Sequence, residues 1–404
     1  MSTVTLELDT IRQQLEVLHG HYWPKHWSGI DPAHFQEAFI NLHVPIISPE
    51  TLLYLLDGGV GVPFTNYRWF QRVLQIRERP EPKAAAIAVR GYCTLRTNHV
   101  GVLGDVDIVS LCDHIWRLRN TSTLHPSWGA SYTWKTALGW LFPAGGPSVL
   151  ITSLVGLAFL DAYKITRNEV LLERSVEAGE YIMNENGYTV HSDGSLCFHY
   201  SPLVPAQITN ASAFAALFLK ALYVETGYTE AEKLSSASVD FIVRNQRPDG
   251  SWYYYPFRPP RSNIVDNYHT GFILESLIEI YRLQPETRLA DCIRRGISFY
   301  KTMFETNGAP RFNRKRRFPR CIHDAAQGIC TFALCHEIMG FGLKTALTIW
   351  RYVRGAMMEP DGSFMSRRYL LGKSSLRSPR WADSWMFLGL ARTAAVLRSA
   401  YNLP

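Results

Sequence analysis

Cysteine is scarce in this chain and follows no pattern. Seven residues (Cys93, Cys112, Cys197, Cys292, Cys321, Cys330 and Cys335) are scattered through 404, an odd total with no CxxC pair. That argues against a disulfide framework or a thiolate metal site and fits a reducing compartment. The first residues lack the basic patch and apolar run of a secretory signal, so a cytoplasmic protein is expected. Long hydrophobic runs are missing too. The most apolar helix candidate, Val149 to Leu160, is too short for a bilayer and is followed by Asp161. Peripheral work beside a membrane surface stays open. No phosphate loop, nucleic-acid motif or metal-spaced cluster occurs, so no cofactor, metal or nucleic acid is expected. The oligomeric state is open.

Acidic charge is in deficit. Against 42 Lys and Arg stand 35 Asp and Glu, a net charge of +7. This suits an anionic small molecule or glycan, a membrane surface or nucleic acid. The excess is diffuse except between Arg311 and Arg320, where Arg314, Lys315, Arg316 and Arg317 also fall. Hydrophobic residues make up 47%, enough for a large core. No Gly/Ser-rich linker divides the chain.

What the chain does have is a repeat. Asp193-Gly194-Ser195, Asp249-Gly250-Ser251, Asn307-Gly308 and Asp361-Gly362-Ser363 recur at steps of 56 (193 to 249), 58 (249 to 307) and 54 (307 to 361). Fixed-period self-similarity means repeated supersecondary units. A helical segment precedes each turn: 172–184, 235–245, 291–305 and 345–358. Another follows it: 209–223, 268–281, 325–338 and 382–397, with 148–163 as an earlier member. The following segments are apolar all round and therefore buried; the preceding ones carry charge on one face and lie outside. The pattern predicts an all-α protein, an α/α toroid of six or seven helical hairpins with short β-turn hairpins on one rim. Residues 141–404 form the regular array. Residues 1–140 are a divergent part of the barrel or a cap, and with no linker between them the two parts are expected to form one continuous domain. In that part Leu8 to Leu18, Ser48-Pro49-Glu50, Asn66 to Ile76 and Val106 to Leu118 read as helices. Ala85 to Leu95 reads equally as strand or buried helix.

Phe241, Gln246, Asp249, Gly250, Ser251 and Trp252 resemble the QW-type repeat of the terpenoid cyclase and protein prenyltransferase β-subunit superfamily, which implies an α/α barrel. The same toroid carries six-hairpin glycosidases, sugar 2-epimerases and polyuronate lyases. Asp266 to Gly271 and His323 to Gly328 look like segments of toroid proteins associated with bacterial polysaccharide synthesis. The Asp-x-Asp-Asp acid of class II cyclases has its nearest counterpart in Asp105-Val106-Asp107-Ile108, where the last Asp is Ile. Asp266 to Thr270 resembles the His-bearing zinc segment of the prenyltransferases, without an Asp-x-Cys at a suitable distance upstream.

In a toroid the inner helices start at one rim, so residues at their N-termini converge on one mouth, where helix dipoles favour anions. The repeat register delivers Asp266, Tyr268, His269, His323, Asp324 and Asp383 there as candidate catalytic groups. Tyr200, Asn210, Trp252, Arg311, Arg320, Trp381 and Trp385 are the candidate substrate-binding groups. His125, Trp128 and Tyr132 come from an earlier loop. Plainer roles compete: Asp249 to Ser251 as turn chemistry, Trp252 as packing between repeats, the aspartates as helix caps. The expected function is an enzyme on an anionic sugar or glycan intermediate, of epimerase, lyase or hydrolase type. His269 or His323 would be the base, Tyr268 or Tyr200 the acid, Arg311 or Arg320 the clamp. Hydrolysis would need Asp266 and Asp383 across the site. The alternatives are a terpenoid cyclase protonating through Asp266 or Asp383, and a non-catalytic scaffold for a glycan or protein.

Overall fold

The computed structural model describes residues 3–43, 61–101, 106–135, 139–259 and 263–403, with 52, 55–57, 59 and 103 between them. The helix expected at Ser48-Pro49-Glu50, and Asp105, lie outside the described residues.

Inner and outer helices separate by the width of their apolar face. Segment 209–226 is buried from Thr209 to Leu222 without a break. Segment 229–244 buries only the stripe Ala231, Leu234, Ser235, Ser238, Val239, Phe241 and Ile242. The outer helices are α1 (Thr3–Tyr22), α5 (Ile108–Arg117), α7 (Glu169–Asn184), α9 (Thr229–Arg244), α11 (Thr287–Lys301) and α13 (Leu343–Ala356). The inner helices are α4 (Pro82–Thr97), α6 (Val149–Thr166), α8 (Thr209–Thr226), α10 (Asn267–Leu283), α12 (Ile322–Met339) and α14 (Ser384–Tyr401). Each inner helix packs on the next, and α14 packs on α4, so the ring closes with six hairpins. The ambiguous run at 85–95 is inner helix α4, opened by Pro82 at its first turn. Helix α6 is apolar enough by length and composition to cross a membrane, but 72% of it is buried inside the ring. The short helices α2 (Pro32–Asn41) and α3 (Arg68–Val73) lie between α1 and α4; α3 is shorter than the 66–76 expected.

The two rims differ. Connections from outer to inner helix are long: 23–81, 118–148, 185–208, 245–266, 302–321 and 357–383. Connections from inner to outer helix are short: 98–107, 167–168, 227–228, 284–286 and 340–342. The long connections carry three small antiparallel sheets. These are β1–β2 (Trp134–Lys135, Leu141–Phe142), β3–β4–β5 (Tyr188–Val190, Leu196–Ser201, Val204–Gln207) and β6–β7–β8 (Arg320–Cys321, Arg367–Arg368, Lys373–Ser374).

The repeated Asp-Gly turns join neighbouring units. Asp249 Oδ1 accepts from the Ser251 N–H (3.1 Å) and hydroxyl (2.7 Å), and Gly250 takes φ +88°. The turn then meets the next outer helix: a Cβ on Gly250 would lie 2.3 Å from Arg295 O, and one on Gly308 2.4 Å from Thr348 O. The last turn meets the first helix, where Gln14 Nε2 donates to Gly362 O at 2.8 Å. Trp252 belongs to the same joint. It is 2% exposed, donates to Ile242 O at 2.9 Å and faces Gly296 on α11.

Two layers fill the lumen. At the inner-helix N-termini, Phe214, Phe272 and Trp385 pack together with ring centres 4.8–6.3 Å apart. Seven residues further along α4 and α14, about 10 Å deeper, lie Arg90 and Arg392. Arg90 Nη2 donates to both Glu279 oxygens (3.0 and 2.9 Å), and Arg392 Nη1 donates to Glu275 at 2.7 Å. Helices α4 and α10 are not ring neighbours, so the Arg90–Glu279 pair spans the lumen.

Candidate active site at the barrel mouth

Three inner helices meet at the centre of the mouth: α10, α12 and α14. Asp266 caps α10, accepting from the His269 backbone N–H at 3.2 Å. Its carboxylate also holds His269 Nδ1 at 2.7 and 2.9 Å. Donation from Nδ1 leaves His269 Nε2 with its lone pair, the form a general base requires. The His269 ring lies between two phenols, 4.0 Å from Tyr268 and 4.4 Å from Tyr254.

His323 lies in the first turn of α12 and is 1% exposed, with no hydrogen-bond partner on either ring nitrogen among the described residues. It stacks on Tyr268 at 4.5 Å and meets Trp381 edge-on at 4.9 Å. Burial holds its pKa well below the ordinary value, and the nearby basic side chains, the Arg380 and Arg367 guanidinium groups among them, lower it further. Burial drives Asp324, the next residue, the other way, and the Asp266 carboxylate raises it further. Its Oδ2 is also unpartnered. The mouth therefore pairs an oriented imidazole, His269, with a neutral buried imidazole and a carboxyl whose protonated form is favoured.

Trp381 closes over His323 between two guanidinium groups, Arg367 at 5.5 Å and Arg380 at 5.8 Å. Its indole N–H points to Cys321 Sγ at 3.3 Å. Both arginines are anchored by aspartates from the long 23–81 connection. Arg380 donates to Asp31 through Nε (2.7 Å) and Nη2 (3.1 Å), and Arg367 donates to Asp57 at 3.2 Å. The face of Tyr132 lies 5.0 Å from Arg380. Lys83, in the first turn of α4, is 6% exposed and sits over Phe272 (5.4 Å) and Trp385 (5.5 Å).

The expected residues divide into two sets. Asp266, Tyr268, His269, His323, Asp324, Trp381 and Trp385 come together, linked by the bonds, rings and charges described above. Asn210 lies buried at the start of α8 with Oδ1 unpartnered among the described residues, and Tyr200 packs against Trp134 and Phe142. Four expectations need correcting. Trp252 is core between repeats, bonded to Ile242 O and packed on Gly296. Arg311 and Arg320 gather with Arg317 on Glu305, at 3.9, 3.2 and 3.2 Å, so a nearby acid already engages the expected clamp. Asp383 turns to the Tyr22 hydroxyl and lines a cleft of about 310 Å³ with His21, Asp361 and Arg377. From the early loop, His125 pairs with Glu185 at 2.9 Å and Trp128 is core.

Lys83, Arg367, Asp31 and Asp57 were not expected. One signal existed for Lys83: Pro82 marks a helix start, and the register of the other inner helices puts the next residue at the mouth. Among the described residues, no group of three His, Cys, Asp or Glu side chains is arranged to hold a metal ion.

No family model and no curated protein matches the chain. Solved structures do. The chain is similar to cellobiose 2-epimerase from Bacillus thermoamylovorans, with TM-score 0.58, 11% identity, and 81% of this chain and 90% of that one covered. It is similar to a family 76 glycoside hydrolase (mannosidase) from Bacteroides thetaiotaomicron, with TM-score 0.59, 12% identity and coverage of 80% and 88%. It is also similar to a family 88 glycosyl hydrolase from Bacteroides vulgatus, with TM-score 0.55, 12% identity and coverage of 86% and 99%. None of these three is a terpenoid cyclase. At such identity the likeness establishes the fold: an α/α toroid of the kind that also serves sugar epimerases and glycosidases.

Proposed function

We propose that this chain is an enzyme that moves protons on an anionic sugar or glycan intermediate at the toroid mouth. The observation that carries the reading is His323. A buried imidazole with both nitrogens unpartnered costs about 1–3 kcal/mol, and this one faces a histidine–aspartate pair and a ring of cations. Such a group is in place for a ligand.

The roles follow from the geometry. His269, oriented by Asp266, takes a proton from a carbon beside a carbonyl or carboxylate. Protonated Asp324 returns one to the opposite face or to a leaving oxygen, while neutral His323 donates a hydrogen bond to the oxyanion. Return to the same carbon is epimerisation; loss of the leaving group is elimination. The positive surroundings of His323 stabilise the enolate that forms between the two steps. The likeness to the toroids of sugar epimerases and glycosidases supports a sugar or glycan as the substrate.

Hydrolysis is the second reading. It rests on the opposed environments of Asp266 and Asp324, which suit a base and an acid. The test of substrate class is mass spectrometry of ligands retained by the purified protein. The proposal predicts an acidic sugar or glycan, lost in His323→Ala. A retained isoprenoid, or a ligand kept equally by the variant, contradicts it.

A further inference from the structure

Lys83 is the cation at the mouth whose charge has no counterpart. Arg380 is matched by Asp31 and Arg367 by Asp57. Glu81 turns to the Ser131 hydroxyl and to His34, 3.6 Å away. Asp266 is taken by His269. Lys83 has no ion pair or hydrogen bond among the described residues, although it is 6% exposed. Its neighbours are ring faces: Phe272 of α10 and Trp385 of α14. An ammonium in such a place loses hydration that two cation–π contacts replace only in part.

We infer that Lys83 receives the substrate's negative charge, that this charge is a single carboxylate on the sugar, and that Lys83 gains a proton as the carboxylate binds. The inference rests on the proposed sugar chemistry for its substrate class, but it concerns binding and is tested by binding.

The carboxylate follows from the charge balance. Each arginine is already matched by an aspartate, so Lys83 is the cation left to meet an anion, and the carboxylates of Asp266 and Glu81 nearby favour one added negative charge over two. A phosphate dianion would bring a second negative charge into a buried place with no free cation to meet it. The remaining N–H groups of Arg380 and one nitrogen of His323 can donate to the same anion.

The proton uptake follows from the surroundings of Lys83. Burial lowers its pKa to about 7; Arg380 lowers it, while Asp31 and Glu81 raise it. From α12, His323 faces it as a neutral ring. Free Lys83 is therefore mostly neutral at pH 8. A carboxylate beside it restores the ammonium form, and the proton comes from the buffer.

Isothermal titration calorimetry of the full chain tests this. D-Glucuronate, D-glucose 6-phosphate and D-glucose are titrated at pH 8 in two buffers with different ionisation enthalpies. Glucuronate should bind with uptake of about 0.9 proton, the neutral fraction at one unit above the pKa. The phosphate sugar should bind at least about tenfold more weakly, and glucose more weakly still. Lys83→Arg should bind glucuronate without uptake, and Lys83→Met should lose about tenfold or more in affinity. Thermal unfolding of both variants confirms that they are folded. No glucuronate binding, binding without proton uptake, uptake that persists in Lys83→Arg, or preference for the phosphate sugar overturns the assignment. Glucuronate binding with uptake but without any proton exchange into the sugar leaves Lys83 as inferred and sinks the catalytic reading instead.

Discussion

The His323 imidazole stacks on the Tyr268 phenol with ring centres 4.5 Å apart and planes 23° from parallel. The two residues begin adjacent inner helices, and the same phenol lies 4.0 Å from His269. Tyr268 therefore spaces two imidazoles whose surroundings differ: one is held by a carboxylate, the other is surrounded by cations. Burial keeps the phenol protonated.

The first prediction separates these imidazoles from structural histidines. His269→Ala and His323→Ala should each lower kcat by about 10²–10⁴ with little change in melting temperature. Asp266→Asn should lower kcat while keeping the helix cap, because an amide no longer fixes the His269 tautomer as a carboxylate does. Steady-state kinetics and thermal unfolding check this together. A fall in stability that matches the fall in activity contradicts it.

The second concerns Asp383. Burial raises its pKa to about 7 from 3.8. Between these values the folded chain keeps a proton that the unfolded chain has released. The neutral carboxyl's contribution is thus fully present below about pH 4 and is lost as pH rises to about 7. Asp383→Asn retains an acceptor for the Tyr22 hydroxyl and removes the titration. Relative to wild type, the variant should gain about 1.4 kcal/mol per pH unit across this window. Urea unfolding at pH 5 and pH 8 measures the difference; an equal gap at both contradicts the account.

The third concerns the lumen. Arg90→Met strips Glu279 of a bidentate partner in a place that is 3% exposed. Arg392 and Arg282 still pair with Glu279, so the expected cost is about 1–3 kcal/mol, read from denaturant midpoints at unchanged m. A loss below about 1 kcal/mol would mean that the pair is hydrated.

The fourth tests the repeat joint. Gly308→Ala meets both φ +88° and the Thr348 carbonyl, whereas Gly194→Ala meets φ +80° and open space. Both variants should lose stability, and Gly308→Ala should lose about 1–3 kcal/mol more. Equal losses would remove the packing part of the argument.

The alternation of buried and half-buried helices was legible in the sequence because helical periodicity records burial directly. The Asp-Gly-Ser turns gave the register that brings Asp266 to His269 and His323-Asp324 to one mouth. Trp252 stood out because a distinctive string invites a substrate-binding role, while its environment is the joint between repeats that the sequence also allows. Arg311 and Arg320 misled because Glu305 lies in the preceding turn and no period announces an acid there. Asp31 with Arg380 and Asp57 with Arg367 join positions more than three hundred residues apart. The segment that supplies these aspartates carries no repeat mark, so nothing in its pattern points across the ring. Lys83 became meaningful only when its neighbours proved to be rings and matched ion pairs.

The most direct measurement is proton NMR of uronate-bearing sugars incubated with the enzyme in D₂O. The account predicts deuterium at the carbon beside the sugar's carbonyl or carboxylate, in recovered substrate or product, abolished in His269→Ala and His323→Ala. Cleavage of the sugar with no deuterium on carbon, or exchange unchanged in both variants, would contradict it.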